Sequence, residues 1–398
     1  MRNKTVLISG ASIAGPALAY WLHRYGFDVT VVERAPALRP GGQAIDFKGH
    51  THFTVLERMG ILDDIRARRT GTSDTVFVDD NGTRLAVMSG EFTGGELEIL
   101  RGDLAEVMYQ RTADRCTYLF GDSISALTQH ADGVHVEFEH GPARTFDLVF
   151  GADGIHSRVR RLAFGPERDL VEYLGYYYCI AGASPWRGDR LGSRERAIGH
   201  GHNVPGKLAI SGGAKAQQMY VFASPELDYA RDDTAAQRRL VEQAFADVGW
   251  EVPRMLGEMR DFDDFYLDTL SLVRLKGHYT KGRVALIGDA GYGNTLGGFG
   301  TGLAVVGAYV LAGELAVAGG DYEVAFARYD EIMRGYAKIA GNSNAGRFLA
   351  PKTALGIRLR NRFFNSRLFT LMMKYTGKVA NDIDLRDYPS LVAAAEIN

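Results

Sequence analysis

The sequence predicts an α/β fold in which a parallel sheet is interrupted by an antiparallel one. Short, continuous apolar runs followed by glycine-rich turns and helices occur at the start of the chain and again at 283–318. Such runs mark strands buried on both faces. Between them, residues 171–223 alternate and are rich in aromatics (EYLGYYYCIAG, QQMYVFA), the pattern of an antiparallel sheet.

The elements follow in order. Residues 4–9 (KTVLIS) read as a buried strand, being short and β-branched. Residues 14–25 read as a helix, with Pro16 in its first turn and Gly26 just past its end. Residues 28–33 (DVTVVE) read as a second strand, completing a parallel βαβ unit. After Gly41-Gly42 comes a short strand, QAIDF, then a helix over 50–68. A hairpin is expected at 74–79 and 83–88 around Asn81-Gly82. A helix is expected at 101–112, strands at 117–119, 134–139 and 145–150, and a helix at 234–247. A buried strand returns at 283–288, followed by a long apolar helix over about 302–318 and a mostly helical stretch over 321–376. This order predicts a discontinuous cofactor domain (1–72, 97–165 and 276–345), a substrate domain (73–96 and 166–275) and a C-terminal helical segment (346–398).

Composition narrows the function. The chain has 398 residues, 46% of them hydrophobic, enough for two packed subdomains. With 46 basic and 48 acidic residues the formal net charge is -2, which gives no reason to expect a nucleic-acid partner. Two cysteines, Cys116 and Cys179, form neither a disulfide framework nor a metal-ligand pattern. The start, MRNKTVLISG, leads straight into a strand and lacks a secretory signal's apolar stretch and cleavage site. A cytoplasmic location without stable membrane association is therefore expected.

The first motif is Gly10-Ala11-Ser12-Ile13-Ala14-Gly15, between the first strand and the first helix. Gly10 permits a tight turn, Gly15 lets helix and strand pack closely, and the helix start offers free N–H groups to a pyrophosphate. Glu33 ends the second strand, followed by Arg34, and its carboxylate is placed to bond both hydroxyls of an adenosine ribose. Ser12 stands where a central glycine is usual. The pattern predicts a Rossmann-like dinucleotide site; an ordinary strand-to-helix turn with a surface glutamate is the plain alternative.

Two later motifs decide the cofactor. Residues 147–160 read Asp147-Leu-Val-Phe-Gly151-Ala-Asp153-Gly154-Ile-His156-Ser157-Arg158-Val159-Arg160, and residues 282–290 read Gly282-Arg283-Val-Ala-Leu-Ile-Gly288-Asp289-Ala290. With the first motif, in this order, the chain resembles the FAD-dependent aromatic hydroxylases of the p-hydroxybenzoate hydroxylase type. It resembles most the branch of tetracycline-inactivating and polyketide-tailoring monooxygenases. The resemblance implies that Asp289 bonds the ribityl chain of FAD and that Arg101 steadies the ribityl and pyrophosphate region. It implies that Asp153-Gly154 supports both FAD and the nicotinamide cofactor. Gly298, Gly300, Thr301 and Gly302 would lead a helix start to the flavin N1/O2 edge, where it favours the reduced form. The chain departs from the family at Gly291-Tyr292, where Ala-His is usual, and at Leu296, where a proline is usual; the loop is also one residue shorter.

The implied activity is that of a monooxygenase that takes reducing equivalents from NADPH or NADH. It would pass oxygen from O2 to an aromatic or polyketide-like small molecule, in secondary or antibiotic metabolism. The chemistry belongs to the flavin, so no catalytic side chain is named. No second GxGxxG motif marks a separate nicotinamide domain, which fits a transient reductant. A non-oxygenating oxidation, cyclisation or rearrangement is the alternative, motivated by Gly291-Tyr292. On the substrate side, Tyr176, Tyr178 and Ile180 share one strand face, Tyr177 and Cys179 the other, and Gln218, Tyr220 and Phe222 share a face of another strand. Tyr178, Tyr220 and Phe222 are the candidate pocket aromatics, against the plain reading that they are core. His200, His202 and His278 are not metal-spaced, and no metal is expected. The stretch Arg358–Arg367 is basic and amphipathic, predicting a helix with its apolar face on the body and its arginines in solvent.

Overall fold

A computed structural model describes residues 2–71, 73–90, 95–183, 198–213, 215–275, 278–341, 344–369, 371, 383 and 385–397. Its centre is a six-stranded sheet in the order Thr280–Lys281, Val284–Leu286, Leu148–Gly151, Thr5–Ser9, Asp28–Glu33, Thr117–Phe120. All neighbours run parallel except the outermost pair, Thr280–Lys281 with Val284–Leu286. The first strand pairs with the second in the register Val6↔Val29 and Ile8↔Val31, and with Leu148–Gly151 on its other side. Strands so enclosed must be apolar throughout, and Val6, Leu7 and Ile8 are all fully buried.

The helix Ala14–Arg24 covers one face of this sheet and packs along the eighteen-residue helix Gly300–Val317. The second helix is apolar all round because it is enclosed on all sides, and 83% of it is buried. Its one deep acid, Glu314, is held by Arg386 at 2.6 Å and the Tyr388 hydroxyl at 2.7 Å.

The second large sheet has seven strands, in the order Phe265–Val273, Val171–Ala181, Gln218–Ala223, Lys207–Ser211, Ile198–Val204, Asp74–Val78, Arg84–Met88. It is antiparallel except where Ile198–Val204 runs parallel to Asp74–Val78. A mixed α/β fold with a parallel cofactor-side sheet and a mostly antiparallel second sheet is thus present, as the sequence predicts. Two small sheets complete it: Ile124–Gln129, Val134–Phe138 and Arg144–Phe146, and the pair Ala44–Phe47 with Leu97–Leu100.

Several elements differ from expectation for local reasons. The helix predicted over 50–68 is two, Gly49–Arg58 and Leu62–Ala67, because Gly60 turns the chain at φ +67°. The strand predicted over 145–150 also divides. Arg144–Phe146 joins the small sheet and Leu148–Gly151 the central one, and Asp147 between them accepts the Thr5 N–H at 2.7 Å. The strand Phe265–Val273 was not predicted; Asp268, Thr269 and Ser271 interrupt its apolar pattern. The helix Val252–Met259 was also not predicted.

The C-terminal helix Ala354–Phe364 keeps Arg358 and Arg362 exposed and Phe364 buried, as expected, but departs from the expected amphipathic arrangement at three positions. Arg360 is buried, while Leu355 and Leu359 are 65% and 60% exposed. The guanidinium bonds the Leu349 carbonyl, Asn203 and Asn361, and lies 4.2 Å from the Phe77 ring, so its polar and flat faces are both matched inside. The predicted helical residues 372–376 lie outside the described residues.

Candidate active site

The glycine turn after the first strand is built for close approach. Gly10 has φ +107°, and a Cβ there would lie 2.5 Å from the Ala152 carbonyl oxygen. A Cβ on Gly15 would lie 1.9 Å from the Gly10 carbonyl oxygen, so the helix Ala14–Arg24 meets the turn only through a glycine. Glu33 holds the turn from the next strand, accepting the N–H of Ala11 at 2.8 Å and of Ala35 at 2.9 Å. Each carboxylate oxygen keeps a second lone pair for a hydroxyl. Ser12 and Ile13 are half-buried, Ala14 and Gly15 are buried, and Arg34 is exposed beside them.

A second glycine turn converges on the first. Gly288, at φ +62°, ends the strand Val284–Leu286 and its loop; a Cβ there would lie 3.1 Å from Ala14 Cβ and 3.4 Å from Ala304 Cβ. The starts of both long helices are therefore side by side. Asp289 follows, with its carboxylate 3.6 Å from where a Gly300 Cβ would be. It is accessible from the cleft yet ringed by protein, and this enclosure pushes its carboxyl above the usual range, with Arg101 opposing. Arg101 opens the helix Arg101–Gln110 and donates from Nε to the Ser12 hydroxyl at 3.1 Å. Ser12, Arg101 and Asp289, far apart in sequence, thus meet around one cleft. Gly298 is exposed and Gly300 and Thr301 half-buried at the helix start; Gly302 leaves room for the His52 ring, whose Nε2 lies 3.1 Å from the Tyr336 hydroxyl.

Asp153 sits behind the first turn. Its carboxylate takes the Ser157 hydroxyl and the N–H groups of Arg158 (2.8 Å) and Val159 (3.1 Å), fixing the helix Arg158–Ala163. Its backbone lies against Gly10, so it supports the turn from below.

The departures after Asp289 have physical accounts. Tyr292 turns away from the cleft and runs under the long helix, its hydroxyl 3.3 Å from the Leu303 carbonyl and its ring 7% exposed. Gly307 makes room for it, since a Cβ there would lie 2.1 Å from the Tyr292 hydroxyl oxygen. Leu296 has φ +56°, which a proline ring fixed near -65° does not adopt. Phe299, at φ +63°, is a second left-handed residue in the same loop.

The predicted aromatic wall is corrected. Tyr178 is on the side of the seven-stranded sheet that shares a core with Tyr176, Ile180, Leu208 and Tyr266, and its phenol feels both Arg101 and Asp289. Tyr220 and Phe222 are on the opposite side, packed on Phe245 at centroid distances of 5.1 and 5.9 Å beneath the helices Thr234–Phe245 and Val252–Met259. In this antiparallel pair Tyr178 opposes Val221, so Tyr220 and Phe222 fall on the other face. They are core.

Sequence reasoning missed the residues that complete the cleft side. Tyr266 packs on Tyr178 at 5.7 Å and lies on the unpredicted strand, as does Asp268, directly opposite Tyr178. His156 stands inside the motif at 147–160 but was assigned no role; it bridges Asp268 and Glu167 at 2.8 Å each.

The cleft fits a dinucleotide: two adjoining helix starts, a glycine floor, an acid at the end of the second strand and an accessible carboxylate beside Arg101. Residues 3–322 match the FAD binding domain family. A flavin-dependent monooxygenase from an unknown prokaryotic organism is 40% identical over 343 residues, 84% of this chain and 87% of that protein. The chain belongs to the FAD-binding family of flavin-dependent monooxygenases. This monooxygenase is also 42% identical over 348 residues to the uncharacterized protein Rv1260 of Mycobacterium tuberculosis (strain ATCC 25618 / H37Rv), covering 84% of this chain and 91% of that one. The crystal structure of tetracycline destructase Tet(51) superimposes on it with a TM-score of 0.77 at 32% identity, over 98% of this chain and 100% of that chain.

Proposed function

We propose that this FAD-dependent monooxygenase uses NADPH or NADH and O2 to oxygenate an aromatic or polycyclic, polyketide-like small molecule, in secondary or antibiotic metabolism. The observation that carries this reading is the aromatic pair Tyr178 and Tyr266 within electrostatic reach of Arg101 at the Asp289 end of the cleft. Flat rings bury well against such a pair. The name of the 32% identical Tet(51) supports a polycyclic substrate.

FAD, when bound, supplies the redox chemistry. The chain's own residues bind and shield it. Gly10, Ser12, Ile13, Ala14 and Gly15 would hold the pyrophosphate, Glu33 and Arg34 the adenosine end, and Arg101 and Asp289 the ribityl chain. Gly298, Gly300, Thr301 and Gly302 would offer the second helix start to the ring. Asp153 acts through the first turn. Tyr292 points into the core, so the residues that motivated a non-oxygenating reaction give it no support.

The purified protein should be yellow, and tetracycline or a phenol should stimulate NADPH or NADH oxidation with matching O2 uptake. Bound FAD that neither nicotinamide reduces would contradict the reading. Asp289→Ala should weaken FAD retention by about tenfold or more, the loss of a hydrogen bond to a charged group. Flavin fluorescence titration measures this.

A further inference from the structure

The helix Ala354–Phe364 is fixed to the body along one face and bare along the other. Arg360, Asn361 and Phe364 form its buried face, and the Phe364 ring stacks on Phe77 at a centroid distance of 5.6 Å. Thr353 caps its start by accepting the Gly356 N–H at 3.1 Å, and Asn365 just past its end donates to the Leu85 carbonyl at 3.1 Å. It lies against Arg84–Met88 and Ile198–Val204, at the end of the seven-stranded sheet far from the strand that carries Tyr266. A helix pinned at both ends and along one side does not expose leucines by fraying.

Leu355, Arg358, Leu359 and Arg362 recur at the three- and four-residue spacing that puts side chains on one helix face, and all four are exposed. Arg367, Leu368 and Leu371 follow, the leucines 62% and 65% exposed, while Phe369 among them packs inward on Phe363 and Phe364. Single exposed leucines need no account, but four between 355 and 371, interleaved with arginines, do.

Charge selects the partner. Residues 332–381 hold ten lysines and arginines and no aspartate or glutamate, in a chain whose 46 basic and 48 acidic residues nearly balance. The acids that share a groove with Arg358 and Arg362 are Asp79 and Asp80 of the neighbouring hairpin. Both are engaged on their own side: Asp79 accepts the N–H groups of Asn81 at 2.9 Å and Thr83 at 2.8 Å, and Asp80 lies 3.3 Å from His202 Nε2. A second copy docked by a two-fold axis would set arginine against arginine, because such a contact is self-complementary. A bilayer with anionic lipid supplies both things the face lacks: phosphates for the guanidinium forks and an acyl boundary for the leucines. Gly300–Val317, the one helix among the described residues long and apolar enough to cross a membrane, is buried in the core, so the contact is with a bilayer surface.

We propose that the outward face of the helix Ala354–Phe364 docks this monooxygenase reversibly on an anionic lipid bilayer. Leu355 and Leu359 enter the boundary between headgroups and acyl chains, and Arg358 and Arg362 bond lipid phosphates. Arg360 behind them holds the helix to the body. Arg367, Leu368 and Leu371 extend the contact. A few leucines and arginines make an attachment that forms and releases, not a permanent anchor.

The test uses the FAD-loaded full chain and flotation with large vesicles. One set is phosphatidylcholine alone; the other is phosphatidylcholine and phosphatidylglycerol in equal parts. The protein should bind the anionic vesicles at least about tenfold more tightly than the neutral ones, and the difference should shrink as salt screens the charges. Leu355→Gln with Leu359→Gln, and separately Arg358→Gln with Arg362→Gln, should each weaken binding to anionic vesicles by about tenfold or more. Glutamine keeps helix propensity close to that of leucine and arginine, so both double variants should retain the wild-type FAD content and denaturation midpoint. Equal binding to both vesicle types, binding to neither, or wild-type binding by either variant overturns the proposal. A lower midpoint in the leucine variant means that its own chain covers those leucines, and this also overturns it. Sedimentation velocity without lipid separates a protein partner: a wild-type dimer that the leucine variant loses assigns the face to a second copy and not to a bilayer.

Discussion

The two faces of the seven-stranded sheet carry similar aromatic residues and do different things. On the side that meets the cofactor cleft, Tyr178 and Tyr266 stand near Arg101 and Asp289, and Asp268 carries a charge between them and His156. On the other side, Tyr177 stacks on Phe222, Tyr220 and Phe222 meet Phe245 edge-on under two helices, and the shared core includes Val241, Met255 and Met259. The aromatic residue type is common to both. The difference lies in what stands beside it: a helix pair sealed by methionine and valine on one face, and the charged groups Arg101, Asp289 and Asp268 near the other.

The largest effect that tests this contrast is on the sealed face. Phe222 is 3% exposed and makes ring contacts to Tyr177 and Phe245. Phe222→Ala should cost about 3–5 kcal/mol of stability, seen as a lower denaturation midpoint, while KM for the substrate stays as in wild type. A KM change in the folded variant would erase the distinction between the faces. Next in size is Tyr178→Leu on the cleft side. It keeps bulk but loses the ring, so KM should rise about tenfold, near 1.4 kcal/mol, with FAD content unchanged.

These residues also show what the sequence could and could not convey. The βαβ unit over 4–33 was legible because it rests on short-range rules: a strand, a glycine that must turn, a helix start. Asp289 and the second helix start were legible only through the family resemblance that their motifs carry. The grouping of Tyr176, Tyr178 and Ile180 on one face follows from alternation alone, and the structure has it. Which face of Gln218–Ala223 shares the side of Tyr178 was not legible, because it depends on cross-strand register: Tyr178 pairs with Val221, not with Tyr220 or Phe222. The strand carrying Tyr266 and Asp268 was missed because Asp268, Thr269 and Ser271 break its apolar pattern. Arg360 was placed in solvent because a helical pattern does not reveal the Leu349 carbonyl and Asn203 that join its neighbour Asn361 as acceptors.

The charged chain on the cleft side should also give the fold a pH dependence that the sealed face lacks. His156 has a folded pKa raised above 6.5, so its contribution is complete below about 6.5 and is lost as pH rises through the folded value. Glu167 is lowered from 4.5 to about 2, so its contribution is present above about 4.5 and is lost as pH falls towards 2. Asp268, also lowered, acts in the same direction as Glu167. The denaturation midpoint should therefore be highest between about pH 4.5 and pH 6.5 and fall on both sides. Asp268→Asn should flatten the alkaline fall. A midpoint that keeps its full alkaline slope in that variant would remove His156 as its source.

The smallest effect comes from removing one hydroxyl on each face. The Tyr220 hydroxyl donates to Gln218 Oε1 at 2.8 Å in a fully buried site, and Gln218 in turn donates to Glu258 at 3.1 Å. Tyr220→Phe leaves that amide oxygen short of a donor and should cost about 1–2 kcal/mol. Tyr266→Phe removes a donor to a carboxylate that His156 and the Thr269 N–H still serve, so its stability cost should be at most similar. The two variants should therefore unfold at comparable denaturant concentrations and separate only in kinetics. Tyr220→Phe should keep the wild-type pH–rate profile because its hydroxyl leads through Gln218 to Glu258 on the sealed side, away from the cleft. If both variants shift that profile alike, the loss of a buried hydrogen bond, not the face it lies on, governs the rate.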